Sequence, residues 1–212
     1  GSIMGIAYIL VILLLRVVQN YCSKRSSQLF PASMLGQVQY MACLFAISFL
    51  LGGIALCFDP APLQLDGGML AIAAVSGATL VLAQLCMLLA MQSGTMVIVT
   101  AFATAGLIVP CIAGMLFMGE SMSLWQWLGI ALFIAASYLL GRSAKAQNGR
   151  FNKKTVWLLA GALLANGCTM LCQKLFTFLR PAGSVSAFSM FSFAISACFF
   201  GAILPLGRAK EK

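Results

Sequence analysis

LLLRVVQNYCSKRSSQLFPASMLGQVQYMACLFAISF at residues 13–49 and LLANGCTMLCQKLFTFLRPAGSVSAFSMFSFAISACF at residues 163–199 are one pattern written twice, 150 positions apart. Leu13 and Leu163, Leu14 and Leu164, Cys22 and Cys172, Lys24 and Lys174, Leu29 and Leu179, Pro31 and Pro181, Ala32 and Ala182, and Phe49 and Phe199 coincide without a gap. Polar residues also recur in place: Arg16 with Asn166, Gln19 with Thr169, Ser23 with Gln173, and Ser27 with Thr177. The second copy begins near residue 163 and has far less chain behind it than the first.

Composition says what kind of chain carries this repeat. It has 212 residues, 62% of them hydrophobic and 8% charged. A soluble domain carries about 25% charged residues, so the chain reads as an all-α polytopic membrane protein. The formal charge of +9 does not point to nucleic acid, because the basic residues gather at the ends of apolar runs in the positive-inside pattern. The N-terminal apolar run has no soluble domain behind it and reads as a first span rather than a cleaved signal. The eight cysteines lie mostly inside apolar segments, with no CxxC pair and no histidine. Cys168 and Cys172 are one helical turn apart, yet packing is the simpler reading. No metal and no cofactor is expected.

Apolar runs of about 20 residues, the length that crosses a bilayer, predict seven helices at 3–24, 34–57, 67–91, 95–118, 123–141, 154–178 and 184–206. The hydrophilic linker 142–153, GRSAKAQNGRFN, separates a five-helix repeat at 1–141 from the first two helices of a second, inverted repeat at 154–212. Ala73/Gly77, Ala74/Ser76/Ala78, Gly106/Pro110/Gly114 and Ala131/Ala135 set small residues a turn apart, which lets backbones approach where lipid supplies no hydrophobic drive. Pro110 should kink its helix. Lys24, Arg25, Arg142, Lys145, Arg150, Lys153, Lys154, Arg208, Lys210 and Lys212 fall on one side, and Asp59, Asp66, Glu120 and Arg180 on the other. The positive-inside rule then places the linker in the cytoplasm and the N-terminus outside.

Residues 90–141 resemble the signature region of the EamA-like family of the drug/metabolite transporter superfamily. The resemblance rests on Pro110 in mid-helix, the Gly119-Glu120 turn, then Gln126 and Gly129 opening the next apolar helix, with Ala136 where the family often has glycine. It implies ten helices in two inverted halves around a cavity, so that this chain would be truncated after its seventh helix. Missing second-half helices or a dimer partner would then be needed to close the cavity. The family's usual orientation, both termini in the cytoplasm, conflicts with the charge count.

On the first span Arg16, Gln19, Asn20, Ser23, Lys24 and Ser27 form a polar stripe, and Asn166, Thr169, Gln173, Lys174 and Thr177 form its counterpart on the sixth. Such residues at bilayer depth usually face a bundle interior or a watery cavity. Two equivalent stripes would line a path for an anionic or zwitterionic small molecule, with Arg and Lys as counter-charges. For Lys24 and Lys174, near helix ends, snorkelling to the headgroups is the alternative. Gln84 either lines the cavity or makes an interhelical hydrogen bond. Glu120 reads as a cap on the fifth helix, with Ser121 and Ser123 beside it, and Trp125 and Trp127 as interfacial anchors. The aromatic run Phe188, Phe191, Phe193, Phe199 and Phe200 reads as packing or lipid-facing.

The expected function is transport of small metabolites or amphipathic compounds across a bacterial-type cytoplasmic membrane, by alternating access between the repeats. Facilitated diffusion or exchange is favoured, since Asp59, Asp66, Glu120 and Glu211 all lie outside the spans. The alternatives are a non-transporting membrane partner or inactive truncation product, and a lipid-processing membrane enzyme. Scattered acids and absent histidine speak against the enzyme.

Overall fold

The computed structural model describes residues 34–59, 61, 65–91, 96–148 and 153–210. The predicted first span, with Arg16, Gln19, Asn20, Ser23 and Lys24, lies outside the described residues.

The described residues form helices and connecting turns. In chain order these are α1 (Met34–Cys57), α2 (Gly67–Met91), α3 (Met96–Ala105), α4 (Ile108–Phe117), α5 (Leu124–Asn148), α6 (Lys153–Leu179) and α7 (Val185–Lys210). Four apolar stretches, Leu35–Cys57, Gly67–Ala90, Lys153–Leu179 and Val185–Ile203, are long and apolar enough to cross a membrane. Ala101–Phe117 and Leu124–Leu139 are shorter apolar segments. A helix satisfies every backbone group within its own segment, which is why such sequences take this form in hydrocarbon.

Two predicted boundaries change. The 95–118 run is not one kinked helix but two, α3 and α4, parted at Gly106-Leu107. The fifth helix does not stop at 141 but runs through Arg142 and Lys145 to Asn148, because Arg, Ala, Lys and Gln all favour helix once it has started.

α1 lies along α7, α2 lies along both α6 and α7, and α3 and α4 cross α6, while α5 rests on α3. Phe45 stacks on Phe200 at 5.6 Å between ring centroids and tilts against Phe193 at 6.2 Å. Gly52 meets Met190, so α1 and α7 run antiparallel. α2 and α7 run parallel: the Ser196 hydroxyl donates to the Gly77 carbonyl at 3.1 Å, and the Ser192 hydroxyl donates to the Ala73 carbonyl at 3.5 Å. A Cβ on Gly77 would sit 2.8 Å from the Ser192 carbonyl oxygen. The Ala73/Gly77 pair thus makes the close helix crossing its spacing predicts, whereas Ala131 and Ala135 on α5 are exposed. Met69, Ala73, Phe176, Ala187 and Phe188 form a buried cluster, with Phe176 and Phe188 stacked at 4.6 Å. Phe188 and Phe200 are therefore packing residues, while Phe199 is exposed.

The ends of the helices sort by charge. Asp66 caps α2 by accepting the Met69 N–H at 3.1 Å, and both its carboxylate oxygens accept from the Arg180 guanidinium. Ser184 caps α7 through the Ala187 N–H at 3.1 Å and donates its own hydroxyl to Asp59 at 2.6 Å. These ties join the α1–α2 loop to the α6–α7 loop at one end of the bundle. Lys153 and Lys154 stand exposed at the other end.

Candidate functional site

The break between α3 and α4 follows from its residues. Pro110 has no N–H to give the Gly106 carbonyl, so that oxygen accepts from Val109 at 3.0 Å instead. Upstream, the Gly106 N–H turns to Ala103 at 3.2 Å and the Leu107 N–H to Thr104 at 3.1 Å, tightening the chain into a turn. Glycine also allows the break to approach α6. A Cβ on Gly106 would lie 2.8 Å from the Leu163 carbonyl oxygen, and one on Gly167 would lie 2.9 Å from the Gly106 carbonyl oxygen. The two backbones touch where neither has a side chain.

Polar side chains of α6 seize the chain on either side of that contact. Asn166 donates its side-chain amide to the Ala103 carbonyl at 2.7 Å. Lys174 donates to the Pro110 carbonyl at 3.2 Å and to the Glu120 carboxylate at 2.5 Å. The amine and carboxylate meet over Gly114, where any Cβ would collide with both. α4 then ends on Gly119 in the left-handed region, with φ of 65°. The Gly114 carbonyl accepts from both Met118 and Glu120, at 3.1 and 3.2 Å, the wrapped C-terminal turn that glycine permits.

Glu120 is thus not the cap of the following helix, as its neighbours in sequence implied. A reciprocal pair takes that place: the Ser123 N–H donates to Gln126 Oε1 at 2.8 Å and the Gln126 N–H donates to Ser123 Oγ at 3.3 Å. Glu120 instead neutralises Lys174. That pairing removes Lys174 as a free counter-charge for an anionic solute.

The remaining predicted positions scatter. Thr169 is buried and shares a hydrogen bond with Thr79 of α2 at 2.9 Å, tying α2 to α6. Gln173 is exposed, and Thr177 donates to its own helix, to the Lys174 carbonyl at 2.9 Å. Gln84 is half-buried in α2. The α6 stripe is therefore split: Asn166 and Lys174 hold the broken helix, Thr169 faces α2, and Gln173 faces outward. Trp125 and Trp127 are exposed at the start of α5.

On the other flank of the break lies a cavity of about 280 Å³ walled by α3, α4 and α5. Leu107, Ile108 and Cys111 face Gln126, Gly129 and Phe133 across it. Its wall is almost wholly apolar, and nothing lies within 4 Å of a Cβ built on Gly129. Sequence reading finds Gln126 and Gly129 but not that they share this cavity, and finds Pro110 but not that its carbonyl faces Lys174 on the opposite flank. It also misses Asp66 with Arg180 and Asp59 with Ser184. Hydrogen bonds from Arg180 and the Met69 N–H, then charge attraction, hold the Asp66 carboxyl below the usual Asp value. Asp59 is lowered chiefly by the Ser184 hydroxyl.

Among the described residues no three His, Cys, Asp or Glu side chains gather to hold a metal ion, and Cys168 and Cys172 are free thiols. No protein-family model matches the chain, and no curated protein or solved structure matches it either.

Proposed function

We propose that this chain is part of a membrane transporter for small amphipathic metabolites, working by alternating access between two inverted repeats. One observation carries the reading: an apolar helix is interrupted in mid-course, gripped by polar groups of α6 on one flank and bordered by a cavity on the other. Discontinuous helices with exposed backbone ends are where transporters of this construction bind their solutes, and non-helical backbone at such depth is tolerated only against protein or a cavity. The antiparallel meeting of α1 and α7 supports the repeat. They are the equivalent helices under the 150-residue offset, and a two-fold axis in the membrane plane reverses one copy against the other.

The apolar cavity wall, together with the neutralised Lys174, favours an amphipathic solute over a small anion. Further helices or a second copy of the chain would close the cavity beside α5. Purified protein reconstituted into liposomes should release a trapped mixture of amphipathic metabolites, read by mass spectrometry. Gly129→Leu, which adds bulk to the cavity wall at a position where a Cβ meets nothing within 4 Å, should slow or stop the release. Release no faster than from protein-free liposomes would sink the reading. It would favour instead a non-transporting membrane partner, for which the exposed apolar residues of α5, Leu124, Trp125 and Leu132 among them, would be the contact surface.

A further inference from the structure

The two grips of α6 on the broken helix differ in kind. Asn166 holds the last residues of α3 by a neutral hydrogen bond at the place where the backbones touch. Lys174 holds α4 and the turn after it by a hydrogen bond and an ion pair whose members are 27% and 49% exposed. The first contact is part-buried, made between neutral groups, and short-ranged. The second is reachable by water and salt, so its attraction is weak and easily screened.

We infer that Lys174 is a releasable pin and positioning residue for α4: with the pin in place α4 is held on α6, and on release α4 pivots about Gly106-Leu107 while Asn166 keeps α3 fixed. The geometry assigns each part. Residues 106 and 107 carry the only interruption between α3 and α4, and Gly106 lacks the side chain that would jam rotation. Gly114 leaves room for the amine and carboxylate to reach the helix surface. Lys174 bonds to the carbonyl of Pro110, inside the moving half, and to Glu120 just beyond its end, so a single side chain ties both the middle of α4 and the turn after it to α6. The opposite side of α4 faces the cavity through Ile108 and Cys111. Movement of α4 therefore changes the width of the cavity directly. The pin draws its purpose from the transport reading, since it would govern access to that same cavity.

Cys111 reports the motion without any solute. In a protein keeping Cys111 as its one cysteine, alkylation by N-ethylmaleimide should be slow, because the thiol is half-buried. Lys174→Met and Glu120→Gln should each raise the rate about two- to fivefold, the factor that corresponds to a partly exposed ion pair. The exchange Glu120→Lys with Lys174→Glu should bring the rate part of the way back, since the pair returns but the donor to Pro110 does not. Asp66→Asn, which cuts the other ion pair, should leave the rate unchanged. Raising salt from about 0.01 to 1 M shrinks the screening length from about 30 to 3 Å and should accelerate labelling of the single-cysteine protein with Lys174 and Glu120 in place, a check that needs no substitution in the ion pair. Equal rates in every variant and at every salt concentration overturn the pin, as does an equal rise in Asp66→Asn. Labelling that responds while liposomes release nothing leaves the pin standing and removes transport; release with unresponsive labelling does the reverse.

Discussion

Asn166 on α6 and Ala103 on α3 are 63 positions apart in the chain, yet the side-chain amide of one bonds to the carbonyl of the other at 2.7 Å. The Ala103 carbonyl is freed because the Leu107 N–H has turned to Thr104. It keeps a second donor in the Gly106 N–H at 3.2 Å, so losing Asn166 does not orphan it. Asn166→Ala should therefore cost about 0.6 kcal/mol, the average for interhelical hydrogen bonds between membrane helices, and no more than about 1.7 kcal/mol, the largest of them. Reversible unfolding in mixed micelles, comparing variant with parent, measures this.

Two glycines should behave oppositely when given one methyl group. Gly167→Ala drives its Cβ to 2.7 Å from the Val109 Cβ and 2.9 Å from the Gly106 carbonyl oxygen. Backbone cannot yield as a side-chain tip does, so a loss of about 1–3 kcal/mol is expected. Gly129→Ala meets nothing within 4 Å and replaces a poor helix former by the best one, for a gain of up to about 1 kcal/mol. Thermal unfolding of both variants side by side gives the sign of each.

Phe188→Ala should be among the costliest single changes. The ring is fully buried and stacked on Phe176, and removing a buried aromatic leaves a cavity worth about 3–5 kcal/mol. Phe199→Ala, on an exposed ring of the same helix, serves as the comparison and should lie well under half that cost.

Acid should loosen the loop ties late. The Asp66 and Asp59 carboxyls are held below the ordinary Asp value of 3.8. A folded-state pKa below the unfolded one contributes stability that is complete above the unfolded value and disappears as pH falls through the folded one. Resistance of the α1–α2 loop to acid-tolerant proteolysis should therefore hold from neutral pH to about 4 and fall only below that. Asp66→Asn should lower resistance at neutral pH and flatten the fall in acid.

Much of the fold can be read without coordinates, because length and apolarity suffice for it. The limits of α1 and α2 coincide with the apolar runs 34–57 and 67–91, where Asp59 and Asp66 mark the turn. The helix with Pro110 is different. Proline announces a disturbance, but whether the result is a kink or a break depends on what receives the freed groups, and Asn166 and Lys174 come from far along the chain. Glu120 escapes a local reading for the same reason. Ser121 and Ser123 beside it show how a cap could form locally, while Lys174, its true partner, is visible only in space. The recurring polar positions of α6 look like one face, yet residues a turn apart drift around the helix enough to find different neighbours. Thr169 meets Thr79 and Lys174 meets Glu120.

The bare meeting of Gly106 and Gly167 has one further consequence. Where side chains interlock, each knob sits in a hole and the helices must climb out of one register to enter another. At Gly106 and Gly167 themselves backbone meets backbone, and the side chain that enters beside them is Val109 of α4, seated against Gly167. The two backbones form a bearing: load passes through the point of contact, and rotation of α4 about it is checked by Val109 and not by interlocked rows of side chains. The orientation of α4 is then set by few contacts, the Lys174 anchors and Val109 against Gly167, each of which a single substitution can remove.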